Sequence, residues 1–203
     1  MSLSIGDYID GFAGSPLSPW AGEAPWRITI RSAEITRRLI LGLDATAYRI
    51  DDGVAVHRSS TVEAGAVLKG PAVIGPRCFV AAGAYVRDGC WLEEDCILGP
   101  GAELKSSFVF RGSKLAHFNF VGDSILGRGV NLEAGSIVAN YRNEKADKQI
   151  SFRLNGQLIE TGVEKFGVLA GDGVRVGANA VIAPGAVLAK GEVVRRLTLV
   201  DQG

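Results

Sequence analysis

Histidine occurs twice in this chain of 203 residues, at positions 57 and 117, and cysteine three times, at 78, 90 and 96. An imidazole titrates near pH ~6.5 when unperturbed, so it can take a proton from a nucleophile at neutral pH. A lone histidine is usually structural or merely exposed; His117 is singled out because it falls in a break of an otherwise strict repeat. A second group is cationic. Lys69, Arg87 and Lys105 lie eighteen residues apart, which stacks them in one column if eighteen residues make one turn of a coil. Stacked like charges repel unless solvent screens them or an anion sits among them. The column is therefore either a solvated basic stripe or a phosphate or carboxylate site, and spacing alone leaves both open. Cys78 and Cys96 are also eighteen apart. With Cys90 they read as buried structural residues, since no histidine occupies a matching position and three cysteines make no disulfide framework.

The element that must position these groups is a repeat of six. An aliphatic or aromatic residue returns at Val56, Val62, Leu68, Ile74, Val80, Val86, Leu92, Leu98, Leu104 and Phe110, then at Leu126, Leu132 and Val138, and again at Val176, Ile182 and Leu188. The residue two places earlier is usually small, as at Ala66, Cys78 and Ala102, and the one before that is often glycine, as at Gly65, Gly83 and Gly101. A period of six fits neither an amphipathic helix nor an alternating strand. It fits a coil with a short strand and a turn in every hexad, three hexads closing one triangular turn. Residues eighteen apart then sit at the strand spacing of roughly 4.7–4.9 Å. The fold class expected is all-β: a left-handed parallel β-helix of hexapeptide repeats over 54–198, behind an N-terminal helical segment and linker over 1–53.

Two interruptions mark the coil. Four residues are inserted at Ala116 to Asn119, with the register restarting at Phe120, and His117 sits among them. Residues 142–164 leave the pattern altogether; there Asn155-Gly156 separates two alternating runs, a strong hairpin signal. A projecting β-hairpin of this kind can cover a substrate or grip a neighbouring subunit. Before the coil, Ile5, Tyr8, Ile9 and Phe12 have helical spacing, as do Ile35, Leu39, Ile40 and Leu43 with Ser32 as N-cap. Ala13 to Pro25 reads as a linker, and after Val194 the repeat is lost.

The totals narrow the function. Lysine plus arginine equals aspartate plus glutamate, 22 against 22, and no basic block occurs, which argues against a nucleic-acid or membrane-surface role. No apolar run is long enough for a membrane helix and no signal peptide is apparent, so a cytoplasmic location is expected.

The stretch from Lys105 to Tyr141 resembles the acetyltransferase half of the bifunctional enzymes that make UDP-N-acetylglucosamine. The residues that carry the likeness are Gly112-Ser-Lys-Leu-Ala-His117, Val121-Gly-Asp-Ser124, Asn131 and Ala139-Asn-Tyr141. The hairpin, Gln157 to Asp172 and the entry at Pro25-Trp26 resemble the archaeal-type sugar-1-phosphate nucleotidylyltransferases with a fused acetyltransferase domain, so the likeness spans roughly residues 25–190. The resemblance implies a homotrimer with acetyl-CoA held between neighbouring subunits. It implies His117 as general base on the amine of an amino-sugar phosphate such as glucosamine-1-phosphate, with Asn140 and Tyr141 near the acetyl-transfer point, Tyr141 also meeting the substrate. Arg87, Lys105 and Lys165 would meet the acceptor phosphate, Asn131 the sugar, and Tyr141, Gly177 and Ala178 the acetyl-CoA.

Those residue types suit the chemistry. A neutral imidazole can deprotonate the attacking amine, a hydrogen-bond donor can stabilise the thioester oxyanion, and arginine and lysine suit a phosphate. Phe120 departs from the family, which has a tyrosine there; the missing hydroxyl puts the acceptor in question more than the reaction. No glycine-rich nucleotide loop occurs in the first 53 residues, so no nucleotidyl transfer is expected, and a separate nucleotidyltransferase is an expected partner. No metal is expected. The zinc enzymes that share this fold, the γ-class carbonic anhydrases, need three histidine ligands, and this chain has two histidines. The alternatives are acyl transfer to another amino-sugar acceptor, or a non-catalytic trimeric sugar-phosphate-binding module.

Overall fold

The structure, a computed structural model, describes residues 3–203. It is a β-solenoid whose short strands fall on three faces. The first face runs from Val54–His57 through Ala72–Ile74, Cys90–Leu92 and Phe108–Val109 to Ala186–Leu188. The second runs from Thr61–Val62 to Val193–Val194, and the third from Val67–Leu68 to Leu199–Val200. Neighbouring coils pair in parallel, as in Ile74 with Leu92 and Val86 with Leu104. The hexad explains this shape. One aliphatic residue per strand points inward and stacks on its equivalent, and a residue in the left-handed region, such as Gly83, Asp95 or Gly101, turns the corner. The inward residues form one continuous core along the coil.

The register corrects three sequence expectations. Val109, not Phe110, pairs with Leu92, seventeen residues earlier, so the corner at Ser106-Ser107 is one residue short. A second short corner lies at Asp123-Ser124, where the inward series goes from Val121 to Leu126. The step from Leu115 to Val121 is an ordinary hexad, so nothing is inserted at Ala116 to Asn119 and His117 lies in a normal turn. Counting by six across the first short corner shifts the frame by one and makes the next regular turn look like an insertion. At the other end the repeat continues past Val194, because Leu199–Val200 pairs with Val181–Ile182.

The outer side of the first face carries a second core. Trp91, Phe108 and Ile125 point outward there and are buried under the N-terminal segment and the hairpin. Strands buried on both sides read as near-continuous apolar runs, and Val168–Ala170 and Cys90–Leu92 are of that kind. Helix α1 (Pro25–Thr29) and helix α2 (Ser32–Leu41) lie in this layer, and Trp26 packs edge-on against Phe152 and Phe166. Arg31, not Ser32, is the N-cap of α2; the Ser32 hydroxyl instead donates to the Asp88 carbonyl at 3.1 Å, fastening the helix to a coil corner. Ile5, Ile9 and Phe12 share a buried side as their spacing implied, but across two short 3-10 turns, Ile5–Asp7 and Phe12–Gly14, rather than one helix. The stretch from Ala13 to Pro25 is packed rather than linking, because Leu17 and Trp20 anchor it. Residues Tyr48–Asp51, expected in the helical segment, form an antiparallel strand on Val54–His57.

The hairpin forms as expected. Ser151–Leu154 pairs with Gln157–Glu160, and Asn155 and Gly156 take φ of 50° and 78°, both left-handed as a tight two-residue turn requires. Its base folds back on the outer core through Ile150 and Phe152, while Leu158 near the tip stays exposed. Gln202 meets it, its carbonyl accepting from the Arg153 amide. Buried Arg142 holds this tail through Asp201 at 2.8 Å. The Arg142 hydrogen bond keeps the Asp201 carboxyl below its ordinary range against the opposing effect of burial, with the Gly203 amide helping. A carboxyl depressed on folding stabilises above its unfolded value, about 3.9, and loses that contribution as pH falls through the lower folded value. Protection of the Arg153 amide from hydrogen exchange, corrected for intrinsic rate, should therefore hold at neutral pH and fall below roughly pH 4. Constant protection down to pH ~2 would refute the coupling.

Candidate active site

On the third face Glu103 pairs with Tyr85 and Phe120, so all three project outward in one column, while Arg87 and Lys105 stack at the strand ends. The chain leaves this face at Asn140-Tyr141, makes the hairpin, and returns at Lys165. The return is pinned where the Phe166 amide donates to the Asn140 carbonyl at 3.1 Å and Gly167 to the Asp123 carbonyl at 2.9 Å. The result is an open cavity of about 510 Å³ lined by Arg87, Lys105, Phe120, Asn140, Tyr141, Glu164 and Lys165. Six of the ten residues expected from the sequence meet there.

The cation column exists in the predicted register, interleaved with the protein's own carboxylates. Arg87 donates to Glu103 at 2.9 Å and to Asp88 at 2.6 Å. Burial pulls the Arg87 guanidinium down, and Glu103 and Asp88 more than offset it, leaving it above its ordinary value. Lys69 lies over the Tyr85 ring, 5.3 Å from its centroid, with Arg87 5.7 Å from the same ring. Lys105 pairs with Asp123 at 3.0 Å. Lys165 has no carboxylate partner among the described residues, so it is the cavity cation whose charge stays available to a bound anion.

His117 does not line this cavity. It sits exposed on the turn between Lys114–Leu115 and Phe120–Gly122, at the corner of the second and third faces. The turn is tied to neighbouring coils by hydrogen bonds. The His117 carbonyl accepts from Gly135 at 2.9 Å, the Phe118 amide donates to Pro100 at 3.0 Å, and buried Asn119 donates its side-chain amide to the Glu133 carbonyl at 2.8 Å. Gly99 lies beneath: a Cβ there would meet the Ala116 carbonyl oxygen at 1.6 Å, so only glycine lets the two turns approach so closely.

The remaining expected residues lie on the second face. Asn131 and Gly177 line a cavity of about 440 Å³ with Glu133, Arg175, Val193, Arg195 and Arg196. The Ala178 amide is already engaged by the Glu133 carboxylate at 2.9 Å. That bond, then the Arg196 pairing, holds the Glu133 carboxyl below its ordinary range. The structure thus gathers one group on the third face and another on the second, with His117 at the corner between them. The three cysteines are buried, and burial pushes the Cys90 thiol up to about 12, which suits a packing role.

Sequence reasoning missed Glu103, Glu164 and Asp123. Glu103 and Glu164 carry no motif, and only the hairpin's return brings Glu164 to the cavity. Asp123 stood within a recognised motif with no role attached. Phe118 was also missed: it is 71% exposed beside His117 and holds φ of 52°, rare for a bulky residue.

The hexapeptide family described as "Bacterial transferase hexapeptide (six repeats)" matches residues 71–106. The chain is 32% identical to the bifunctional sugar-1-phosphate nucleotidylyltransferase/acetyltransferase of Sulfurisphaera tokodaii, over 70% of this chain and 40% of that protein. It is 37% identical to the bifunctional protein GlmU of Symbiobacterium thermophilum, over 71% of this chain and 37% of that one. It spans less than half the length of these curated relatives. Among solved structures, a perosamine N-acetyltransferase from Caulobacter crescentus, in complex with CoA and GDP-perosamine, aligns with TM-score 0.32 and 17% identity over 72% of this chain and 51% of that chain, a likeness too weak to carry an inference.

Proposed function

We propose that this chain, homologous to the hexapeptide part of those bifunctional proteins, is a hexapeptide-repeat acetyltransferase that transfers an acetyl group from acetyl-CoA to the amine of an amino-sugar phosphate. The observation that carries this reading is the convergence of Arg87, Lys105, Phe120, Asn140, Tyr141 and Lys165 on one cavity.

In this reading His117 takes the proton of the acceptor amine as its nitrogen attacks the thioester carbonyl. A carbon–nitrogen bond forms, the carbon–sulfur bond breaks, and CoA leaves. Lys165 meets the acceptor phosphate as an unpaired charge, and Arg87 and Lys105 add donors whose positions their carboxylates fix. The second-face cavity suits the co-substrate: Arg175, Arg195 and Arg196 match its phosphates, and the exposed Val193 side chain its aliphatic arm. Acetyl-CoA supplies the activated acyl group. Because His117 lies at the corner between two open cavities, the reading includes a homotrimer in which the third face of one subunit meets the second face of the next.

Phe120 favours a second reading of the acceptor. Its ring lines the cavity without a hydroxyl to offer. A sugar with an apolar or unsubstituted edge at that point fits better than one needing a hydrogen bond there.

The deciding assay is CoA release from acetyl-CoA with glucosamine-1-phosphate, galactosamine-1-phosphate and free glucosamine as acceptors. Release with a phosphorylated sugar, at least ~10-fold above free glucosamine in kcat/KM, is the expected result. Equal rates would remove the phosphate site. No release with any acceptor would move the reading to a different amino sugar or to a binding module.

A further inference from the structure

Asp123 is nearly buried, with a side-chain exposure of 6%. Its backbone holds φ of 48°, in the left-handed region that aspartate and asparagine tolerate better than most residues, at a corner that is one residue short. Its amide donates to the Lys105 carbonyl and its carbonyl accepts from Gly167, both at 2.9 Å. Its Oδ2 accepts from Lys105 Nζ at 3.0 Å and from Asn140 Nδ2. One carboxylate thus holds two cavity-lining side chains from the coils on either side of it.

We propose that Asp123 is a positioning residue of the acceptor cavity, fixing the Lys105 ammonium and the rotation of the Asn140 amide; this rests on the acetyl-transfer reading for its catalytic consequence. A carboxylate only accepts hydrogen bonds, so the Asn140 end that faces it must be the NH2. The amide oxygen of Asn140 is thereby turned away from Asp123 and left free as an acceptor, beside the second N–H of the NH2. The ammonium of Lys105 is held on a carboxylate in a mostly buried setting, where removal of the partner leaves an uncompensated charge. Gly122 makes room for the arrangement: a Cβ there would meet Asn140 Nδ2 at 2.6 Å.

The test is Asp123→Asn in the full chain, a replacement that keeps the size and tolerates the left-handed backbone. The expected result is a loss on the order of 100-fold in kcat/KM for the acceptor, with KM for acetyl-CoA within about twofold. Paired with Lys105→Met, the double variant should be no worse than the worse single one, since the two act as a unit. A loss below about threefold, or losses that add, would overturn the proposal, as would a parallel rise in KM for acetyl-CoA, the mark of a merely structural role.

The positioning itself is read without turnover. In the wild-type protein the Asn140 side-chain amide protons, assigned by their loss in Asn140→Ser, should exchange with solvent at least ~10-fold more slowly than those of exposed Asn131. Equal rates overturn the proposal whether or not Asp123→Asn folds. Slow exchange in a protein that acetylates no amino sugar would instead leave the positioning standing and remove the acetyl-transfer reading.

Discussion

Alanine at position 117 is expected to lower kcat for acetyl transfer on the order of 100- to 10,000-fold, the usual range for a general acid or base. KM for the acceptor should change little, because in this reading the ring meets the amine rather than the phosphate. The fold should survive. The imidazole is exposed and makes no hydrogen bond among the described residues, while the turn is held by backbone contacts to Pro100 and Gly135. Steady-state kinetics beside a sizing measurement checks this. Unchanged turnover would remove His117 from the mechanism. A parallel loss of activity and assembly would make it an interface residue.

The largest expected loss of stability is elsewhere. Phe110 is fully buried between Phe12 and Trp91, with ring centroids at 5.8 Å and 5.3 Å. Truncation to alanine should cost about 3–5 kcal/mol, lost transfer energy plus the cavity left between two layers that cannot collapse freely. Denaturant unfolding measures it, and limited proteolysis should find the segment from Ile5 to Trp20 newly exposed. A cost under ~1 kcal/mol would mean that the N-terminal layer contributes little to the folded state.

Much of this architecture was legible because its physics is local and repeated. Ile74, Leu92 and Leu104 each need an inward aliphatic residue, so the coil shows itself as a count of six. Asn155-Gly156 is equally local, since two successive left-handed residues are tolerated by few other pairs. The short corners were not legible. Val109 and Phe110 are both apolar, and nothing in their types says that one faces the inner core and the other the outer. The N-terminal layer was half legible: Ile5, Ile9 and Phe12 advertised a buried side, but what they were buried against came from Trp91, Phe108 and Phe152, far along the chain. In the site, the cation column was visible as spacing. The carboxylates that divide it were not, because Asp88, Glu103 and Asp123 follow no rule of eighteen. Glu164 reaches the cavity only because the hairpin closes on itself, a non-local event.

A solenoid in which each coil touches only its neighbours is in principle a one-dimensional chain, able to fray from either end one repeat at a time. The N-terminal layer removes that freedom. Helix α2 contacts the strands Ala72–Ile74 and Cys90–Leu92 near the start of the coil. Tyr8, only some two dozen residues before it, accepts a hydrogen bond from the amide of Asp172 at 2.9 Å, and Asp10 pairs with Lys190 near the far end. One short segment therefore spans the stack lengthwise, and early and late coils share contacts that neither can lose alone. Unfolding should accordingly follow a single cooperative transition rather than a gradient of fraying ends, with contacts more than 160 residues apart in sequence setting a slow folding rate.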